Sequence, residues 1–237
     1  MTSARAGRTP VPAIRHVVFD LDGTLVDTAA DLVAATNHVL GGFALPEVDA
    51  TTLLGYVGDG ARTLVGKALG PARGELLDEG VNLFLDYYRA HLLDASRPYP
   101  GMESLLRDLH ALGVRASVLT NKAEALSRPI LDGLGLMRWL DSLVGGDSLP
   151  TRKPDPAGLA LVLARSGTPP EHGLMVGDSP IDRDTAQAAG VPFCGVTWGF
   201  ASDLLVRAGG DTVLVDDVAG LRALVEGGLA RAGTRSA

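Results

Sequence analysis

The sequence predicts an α/β fold in which a parallel, doubly wound sheet is covered by helices on both faces. Three observations indicate this fold. Residues 15–20 form a short run whose core is almost entirely apolar, as in a strand buried on both faces. Residues 28–97 show helical patterns and no strand pattern. From residue 98 onwards, strand and helix patterns alternate, which is typical of a parallel sheet.

Before residue 98 the sequence predicts a tail, the first strand and a series of helices. Residues 1–13 are small, polar and proline-containing, and they predict a flexible tail. After the first strand, Thr28 can cap a helix that runs to about Gly41. Further helices are predicted over residues 46–54, 59–70 and 72–95.

The elements after residue 98 are bounded by turn residues, and Gly113 and Gly190 each end a helix. Strands are predicted over residues 114–119, 140–145, 173–177, 192–197 and 212–215. Helices are predicted over residues 102–112, 122–134, 156–166, 180–189, 202–208 and 217–228. The chain is therefore expected to have an α/β core, residues 14–27 and 98–237, with an all-helical insertion, residues 28–97.

Composition excludes several classes of protein. The chain has 237 residues, of which 46% are hydrophobic, enough for one large domain or two modest ones. A formal charge of −7 argues against a broad attraction to nucleic acid or an anionic membrane. Cys194 is the single cysteine, so an internal disulfide and a cysteine-rich zinc site are excluded. We expect a cytoplasmic monomer or homodimer with no nucleic-acid or membrane partner.

Polar side chains follow the central predicted strands at their carboxyl ends. Ligands bind outside these ends in open parallel sheets, so the side chains are expected to share one site. Helix capping could account for Asp178, but not for Asp20 and Lys153 together. Several carboxylates at one edge need a cation, because close like charges cannot all ionise. The candidate residues of this edge are Asp20, Asp22, Thr24, Thr120, Asn121, Lys153, Asp178 and Asp182.

The residue types at this edge indicate phosphoryl chemistry. A ligand set made only of oxygens suits Mg²⁺, and a cation, a lysine and backbone N–H groups together bind phosphoryl groups. The sequence has no G-x-x-x-x-G-K-[ST] loop, so a P-loop nucleotide site is not predicted. Hydrolysis of a phosphomonoester is the natural candidate. One carboxylate would form an aspartyl-phosphate, and a second would act as general acid and base.

The order of these motifs resembles the haloacid dehalogenase superfamily over essentially all of residues 15–200. This superfamily has a Rossmann-type core, and the helical insertion resembles its mobile cap. Four segments are further similar to phosphoglycolate phosphatases. They are Phe19–Asp27 (FDLDGTLVD), Gly58-Asp59-Gly60-Ala61-Arg62, Pro98-Tyr99-Pro100-Gly101 and Lys153-Pro154-Asp155-Pro156.

The resemblance implies roles for the acids and the lysine. Asp20 would be the nucleophile and a Mg²⁺ ligand. Asp22 would be the general acid and base, with its main-chain carbonyl on the metal. Asp178 would complete the protein ligands. Lys153 would neutralise the nucleophile and the transferring phosphoryl group, and Asp182 would orient Lys153 or act through water.

The resemblance also implies roles for five further residues. Thr120 and the N–H of Asn121 would hold phosphate oxygens. Thr24 would hold the shape of its loop and the orientation of Asp22. In the insertion, the backbone near Gly58 would approach the substrate, and Arg62 would meet a substrate carboxylate. The alternative is that Gly58-Asp59-Gly60 forms a simple turn and that Arg62 is a surface charge on the next helix.

We therefore expect a Mg²⁺-dependent phosphatase of a small phosphorylated metabolite, with 2-phosphoglycolate as the expected substrate. Related alternatives are a sugar-phosphate phosphatase or mutase, a pyrophosphatase, and a phosphonatase that would use Lys67 to form an imine. Non-catalytic alternatives are a signalling receiver module and a phosphoryl-binding protein. Turnover of a general phosphatase substrate with Mg²⁺ separates the enzymes from both.

Overall fold

The computed structural model describes residues 14–209 and 212–227, and the predicted N-terminal tail lies outside them. Within this part of the chain the predicted α/β fold is confirmed. The strands are β1 (His16–Phe19), β2 (Val26–Asp27), β3 (Arg97–Pro98), β4 (Arg115–Leu119), β5 (Ser142–Val144), β6 (Gly173–Gly177), β7 (Phe193–Val196) and β8 (Val213–Val215).

Helices cover the sheet and fill the insertion. The α-helices are α1 (Ala29–Gly42), α2 (Ala50–Leu54), α3 (Ala61–Leu69), α4 (Leu77–Ala90), α5 (Met102–Ala111), α6 (Glu124–Gly133), α7 (Ala157–Ser166), α8 (Pro180–Ala189), α9 (Ser202–Ala208) and α10 (Val218–Gly227). Short 3₁₀ turns cover Pro71–Leu76, Met137–Trp139 and Pro170–His172. No helix in the described residues is long and apolar enough to span a bilayer.

Six of these strands form one parallel sheet, in the order β5-β4-β1-β6-β7-β8. Side chains of β1 alternate between two apolar cores. Val17 and Phe19 pack on one side, and Val18 packs on the other with Leu119 and Met175. Both faces of β1 are therefore buried, which explains its uninterrupted apolar sequence. The central position of β1 places the residue that follows it in the middle of the sheet edge.

The two remaining strands, β2 and β3, pair antiparallel as a short ribbon. Helices α1–α4 lie between them in the chain, so an all-helical insertion leaves and rejoins the core through this ribbon. Within the insertion α4 packs against α1 and α3. The sequence did not predict the ribbon, because a strand of two residues has no recognisable alternation.

Several helix ends differ from the prediction for local reasons. The helix predicted to begin at residue 59 begins at Ala61, because Gly60 has a φ of +84° that a helix cannot continue. Helix α2 begins at Ala50, where the side chain of Asp49 accepts the N–H of Thr52. The helix predicted over residues 72–95 is a 3₁₀ turn followed by α4, which ends at Ala90.

Candidate active site

A cavity of about 220 Å³ lies between the carboxyl edge of the sheet and the helical insertion. The core contributes polar side chains to its wall, and the insertion contributes mainly apolar ones. The principal polar residues are Asp20, Asp22, Thr120, Asn121, Lys122, Asp178 and Ser179. From the insertion come Val57, Gly58, Gly60, Leu64, Phe84 and Tyr88. The cavity therefore combines a charged floor with an apolar cover, as sites for small ligands do.

Asp20 directly follows β1 and is buried on the cavity floor, 8% exposed. Its backbone N–H donates to the carbonyl of Val176, which fixes it against β6. Its Oδ1 accepts the N–H of Leu21 at 2.7 Å and lies 2.9 Å from Nζ of Lys153. Burial raises the pKa of the Asp20 carboxyl, and the attraction of Lys153 only partly opposes this.

Lys153 is held between two carboxylates, those of Asp20 and Asp182. Its Nζ donates to Oδ1 of Asp182 at 2.6 Å. Burial alone would lower the pKa of the Lys153 ammonium, but the two carboxylates raise it above its ordinary value. Asp182 is fully buried, and its Oδ2 also accepts the N–H and hydroxyl of Ser179. Asp182 therefore contacts Lys153 directly, as one of the two roles expected for it requires.

Asp178 lies at the end of β6 and is almost fully buried. Its Oδ1 accepts the hydroxyl of Thr24 at 3.2 Å, and its Oδ2 accepts the N–H of Ala201 at 3.0 Å. Gly23 permits this close approach, since a Cβ on it would lie 2.6 Å from Asp178 Oδ2. Burial raises the pKa of Asp178 to about 6, and the neighbouring Asp182 carboxylate adds to the shift. Thr24 thus supports Asp178, not Asp22 as expected.

Three carboxylates at this edge have oxygens within 4.8 Å of one another: those of Asp20, Asp178 and Asp182. Asp182 is fully buried and does not line the cavity, whereas Asp20 and Asp178 do, so Asp20 and Asp178 are the better candidates to bind a cation. Burial is the main cause of the raised pKa values of Asp20 and Asp178, and the neighbouring carboxylates add to it. A small divalent cation with a preference for oxygen fits this donor set.

Asp22 is held by two donors that the sequence did not assign to it. Its Oδ1 accepts the hydroxyl of Thr28 at 2.6 Å and Nζ of Lys122 at 2.5 Å. Thr28 occupies the N-cap position of α1 but makes no side-chain capping bond, so its predicted capping role is wrong. Lys122 also donates to the phenol oxygen of Tyr88 at 2.8 Å, which connects the core to α4 of the insertion.

Lys122 is the clearest omission of the sequence reasoning. Burial by itself would lower the pKa of its ammonium, but the Asp22 carboxylate raises it above the ordinary value. Its position just after Thr120-Asn121, at the end of β4, was the available signal. Its partners Asp22 and Tyr88 are 100 and 34 residues away, so no local pattern could reveal the contact.

Thr120 and Asn121 lie at the end of β4 on the cavity wall. The hydroxyl oxygen of Thr120 accepts the N–H of Lys122, so its O–H is left to donate elsewhere. The side-chain amide of Asn121 donates to the carbonyls of Gly58 and Lys153, at 2.9 and 3.0 Å. Gly58 therefore lies at the cavity and is tied to the core there.

The structure does not place Arg62 at the cavity, in contrast to the expectation that it meets a substrate carboxylate. Its guanidinium pairs with Asp78 at 2.7 Å on the surface of the insertion, and its side chain is 61% exposed. Lys67 also lies outside the cavity, with Nζ 3.9 Å from Asp59 and above the ring of Tyr56. An imine-forming lysine from the insertion is thus not present at the candidate site in the described residues.

The sequence of this chain is similar to those of known hydrolases. The family model of haloacid dehalogenase-like hydrolases matches residues 17–196. A phosphoglycolate phosphatase of Agrobacterium fabrum is 39% identical to this chain over 217 residues, covering 90% of this chain and 93% of the relative. A phosphoglycolate phosphatase of Cereibacter sphaeroides is 42% identical over 189 residues, covering 78% and 85%.

Solved structures are also similar to this chain. A crystal structure described as a predicted phosphoglycolate phosphatase, from Haemophilus somnus 129PT, superposes with a TM-score of 0.80. It is 29% identical and covers 90% of this chain and 97% of its own. A predicted phosphatase from Clostridium acetobutylicum superposes with a TM-score of 0.73 at 26% identity, covering 91% and 99%.

Proposed function

Because the chain belongs to the haloacid dehalogenase-like hydrolase family and is a phosphatase of phosphomonoesters, we propose that it hydrolyses 2-phosphoglycolate to glycolate and phosphate. The observation that carries the proposal is the arrangement at the cavity floor, where Asp20 lies 2.9 Å from Lys153 and within reach of Asp178. The names of the curated relatives support the choice of substrate. We further propose that the enzyme acts in the cytoplasm as a monomer or homodimer.

The proposed cofactor is Mg²⁺, held by the carboxylates of Asp20 and Asp178 and by the main-chain carbonyl of Asp22. This oxygen-only donor set fits a hard cation that also keeps water and substrate oxygens in its shell. When bound, Mg²⁺ supplies positive charge that neutralises the phosphate next to the acids.

In the first step an oxygen of Asp20 attacks phosphorus, and the bond from phosphorus to the glycolate oxygen breaks. Asp22 donates a proton to that leaving oxygen, since an alkoxide leaves poorly. Lys153 balances the charge of Asp20 and of the transferring group. The hydroxyl of Thr120 and the N–H of Asn121 hold phosphate oxygens.

In the second step water attacks phosphorus, and the bond between phosphorus and Asp20 breaks. Asp22, now a carboxylate, accepts the proton of that water. The donors Thr28 and Lys122 both bind Oδ1 of Asp22, so Oδ2 is the oxygen we assign to proton transfer. The apolar cover from the insertion limits the entry of bulk water.

The test is a panel of small phosphomonoesters assayed with Mg²⁺ and, separately, with a chelator. We expect 2-phosphoglycolate to have the highest kcat/KM, activity to disappear in chelator, and Mg²⁺ to restore it. Excess Ca²⁺ is expected to inhibit, because its higher coordination number recruits the second oxygen of Asp20, the one needed for attack. Full activity in chelator, or a clearly better substrate, would overturn the corresponding part of the proposal.

A further inference from the structure

Two cationic side chains line the cavity in the described part of the chain, Lys122 and Arg152. Lys122 is committed to Asp22 and Tyr88. Arg152 has no side-chain hydrogen bond, and no carboxylate of the described residues lies within 4.0 Å of it. It is exposed, in contrast to Lys153 beside it, which is buried against Asp20. A guanidinium without a partner on the wall of a cavity is available for a ligand.

The guanidinium of Arg152 lies close to the insertion, opposite the loop that carries it. One terminal nitrogen of its guanidinium lies beside Gly60, 3.3 Å from where a Cβ on that glycine would be. Helix α3 begins immediately after Gly60 and has no acidic residue in its first turn. Asp147 is the cavity-lining acid in the segment between β5 and α7, and its Oδ1 accepts the N–H of Glu124.

The negative charge around the cavity determines which ligand the Arg152 guanidinium can bind. The cavity wall carries the carboxylates of Asp20, Asp22, Asp147 and Asp178, and the chain has a net charge of −7. A substrate with a carboxylate in addition to its phosphate would be repelled unless a local cation met that second charge. A guanidinium binds a carboxylate through two parallel N–H bonds, which gives affinity as well as orientation.

We infer that Arg152 determines specificity by binding the carboxylate of a phosphomonoester whose phosphate lies at Asp20. The inference rests on the proposed function and assigns to Arg152 the contact expected of Arg62. The loop that carries Arg152 and Lys153 thus contributes one cation to each end of the substrate. Lys153 faces the phosphoryl group, and Arg152 faces the second anion.

The test compares Arg152→Gln with the wild type on two substrates of the same length. One is 2-phosphoglycolate, and the other is 2-hydroxyethyl phosphate, in which a hydroxymethyl group replaces the carboxylate. For the first substrate we expect kcat/KM to fall about 10- to 100-fold, mainly through KM, as for a lost hydrogen bond to a charged group. For the second substrate the expected change is less than about threefold.

Two further variants keep this test specific. Arg62→Gln removes a surface arginine paired with Asp78, and we expect less than about a twofold change on either substrate. Arg152→Lys keeps the charge without the planar fork and is expected to retain part of the preference. The thermal midpoint of Arg152→Gln should match that of the wild type, because Arg152 is exposed and unpaired.

The outcomes separate the inference from the proposed function. If another carboxylate-bearing ester such as 2-phospholactate is the better substrate, the proposed substrate is wrong. The role of Arg152 still stands if Arg152→Gln selectively lowers kcat/KM for that ester. Equal losses on the charged and uncharged substrates, or no loss on either, would overturn the inference about Arg152 whichever substrate is best.

Discussion

The hydroxyl of Thr28 contacts Asp22, six residues earlier in the chain, in place of the helix-capping bond that the sequence predicts. It donates to Asp22 at 2.6 Å and makes no capping bond, and the first N–H of α1, that of Ala29, is accepted by Oδ1 of Asp27 instead. In sequence a threonine before a helix is indistinguishable from a cap, because both uses need the same residue at the same place. The structure assigns it instead to the carboxylate proposed as acid and base.

Thr28→Val keeps the shape of this side chain and removes the donor. We expect kcat for 2-phosphoglycolate to fall about 10-fold or more, as for a lost hydrogen bond to a charged group. KM should change little, because Thr28 does not line the cavity. Steady-state kinetics check this, with Thr36→Val as control, whose hydroxyl bonds the carbonyl of Leu32 within α1. An unchanged kcat in Thr28→Val would contradict the positioning role.

His16 is a buried residue that links protonation to stability away from the site. Its ring nitrogens lie 2.9 Å from the hydroxyl oxygens of Ser166 and Ser117. Burial lowers the pKa of His16 from 6.5 to about 4. Between these values the unfolded chain binds a proton and the folded chain does not, so stability rises with pH across this window.

We therefore expect His16 to make the free energy of unfolding decrease by about 3 kcal/mol as the pH falls from 6.5 to 4. Denaturant titrations of the wild type and of His16→Gln at several pH values measure this contribution. The glutamine variant should lose less stability over the window, whatever its stability at neutral pH. Equal slopes for the two proteins would show that His16 is not the titrating group.

Among the secondary-structure elements, the sequence predicts helix bounds best where one helix has both an N-terminal cap and a glycine that ends it. Strand β6 and helix α8 have the predicted bounds, because Ser179 and Asp182 form a reciprocal capping box and Gly190 ends the helix. The ribbon of β2 and β3 was not predicted, since two residues carry no pattern. Its pairing joins segments about 70 residues apart, which only the folded chain brings together.

Asn121 connects two elements, the loop of the insertion and the loop of Lys153. Asn121→Ala removes the donor to Gly58, so we expect faster hydrogen exchange around residues 58–60 and a higher KM for 2-phosphoglycolate. Asn37→Ala is the matched control, because Asn37 ties α1 to Val48 inside the insertion by the same kind of bond. Exchange that is unchanged in Asn121→Ala, or that rises equally in both variants, would contradict a docking role for this contact.

For the whole molecule, the topology of the sheet is what made the site predictable. Carboxyl ends of parallel strands meet at one edge, so the sequence alone groups Asp20, Thr120 and Asp178. Arg62 could not be placed in this way. The packing of α3 on α4 brings it to Asp78, and sequence does not show which face of a helix meets which neighbour.

Metal binding should stabilise the folded molecule as a whole, because the acids converge only when it is folded. We expect Mg²⁺ at about 100 times its Kd to add about 2.7 kcal/mol to the free energy of unfolding of the wild type. Asp178→Asn should lose most of this gain, and Asp184→Asn, a surface residue paired with Arg183, should keep it. Thermal unfolding with and without Mg²⁺ measures the gain. A gain in Asp178→Asn equal to that of the wild type would contradict the proposed ligand set.

In the proposed mechanism Asp20 carries the phosphoryl group and Asp22 moves the protons. With an aryl phosphate the leaving group needs little protonation, so the first step can proceed without Asp22, whereas activation of water still needs a base. The two substitutions Asp20→Asn and Asp22→Asn should therefore fail at different steps, although both lower turnover.

The most direct test is rapid-mixing kinetics of both variants with an aryl phosphate and Mg²⁺. Asp22→Asn is expected to release a burst of about one aryl product per active site and then stall, with phosphate bound covalently to Asp20. Asp20→Asn is expected to show neither burst nor turnover, because an amide is a feeble nucleophile. Turnover by Asp20→Asn together with no burst in Asp22→Asn would contradict the assignment of the two acids.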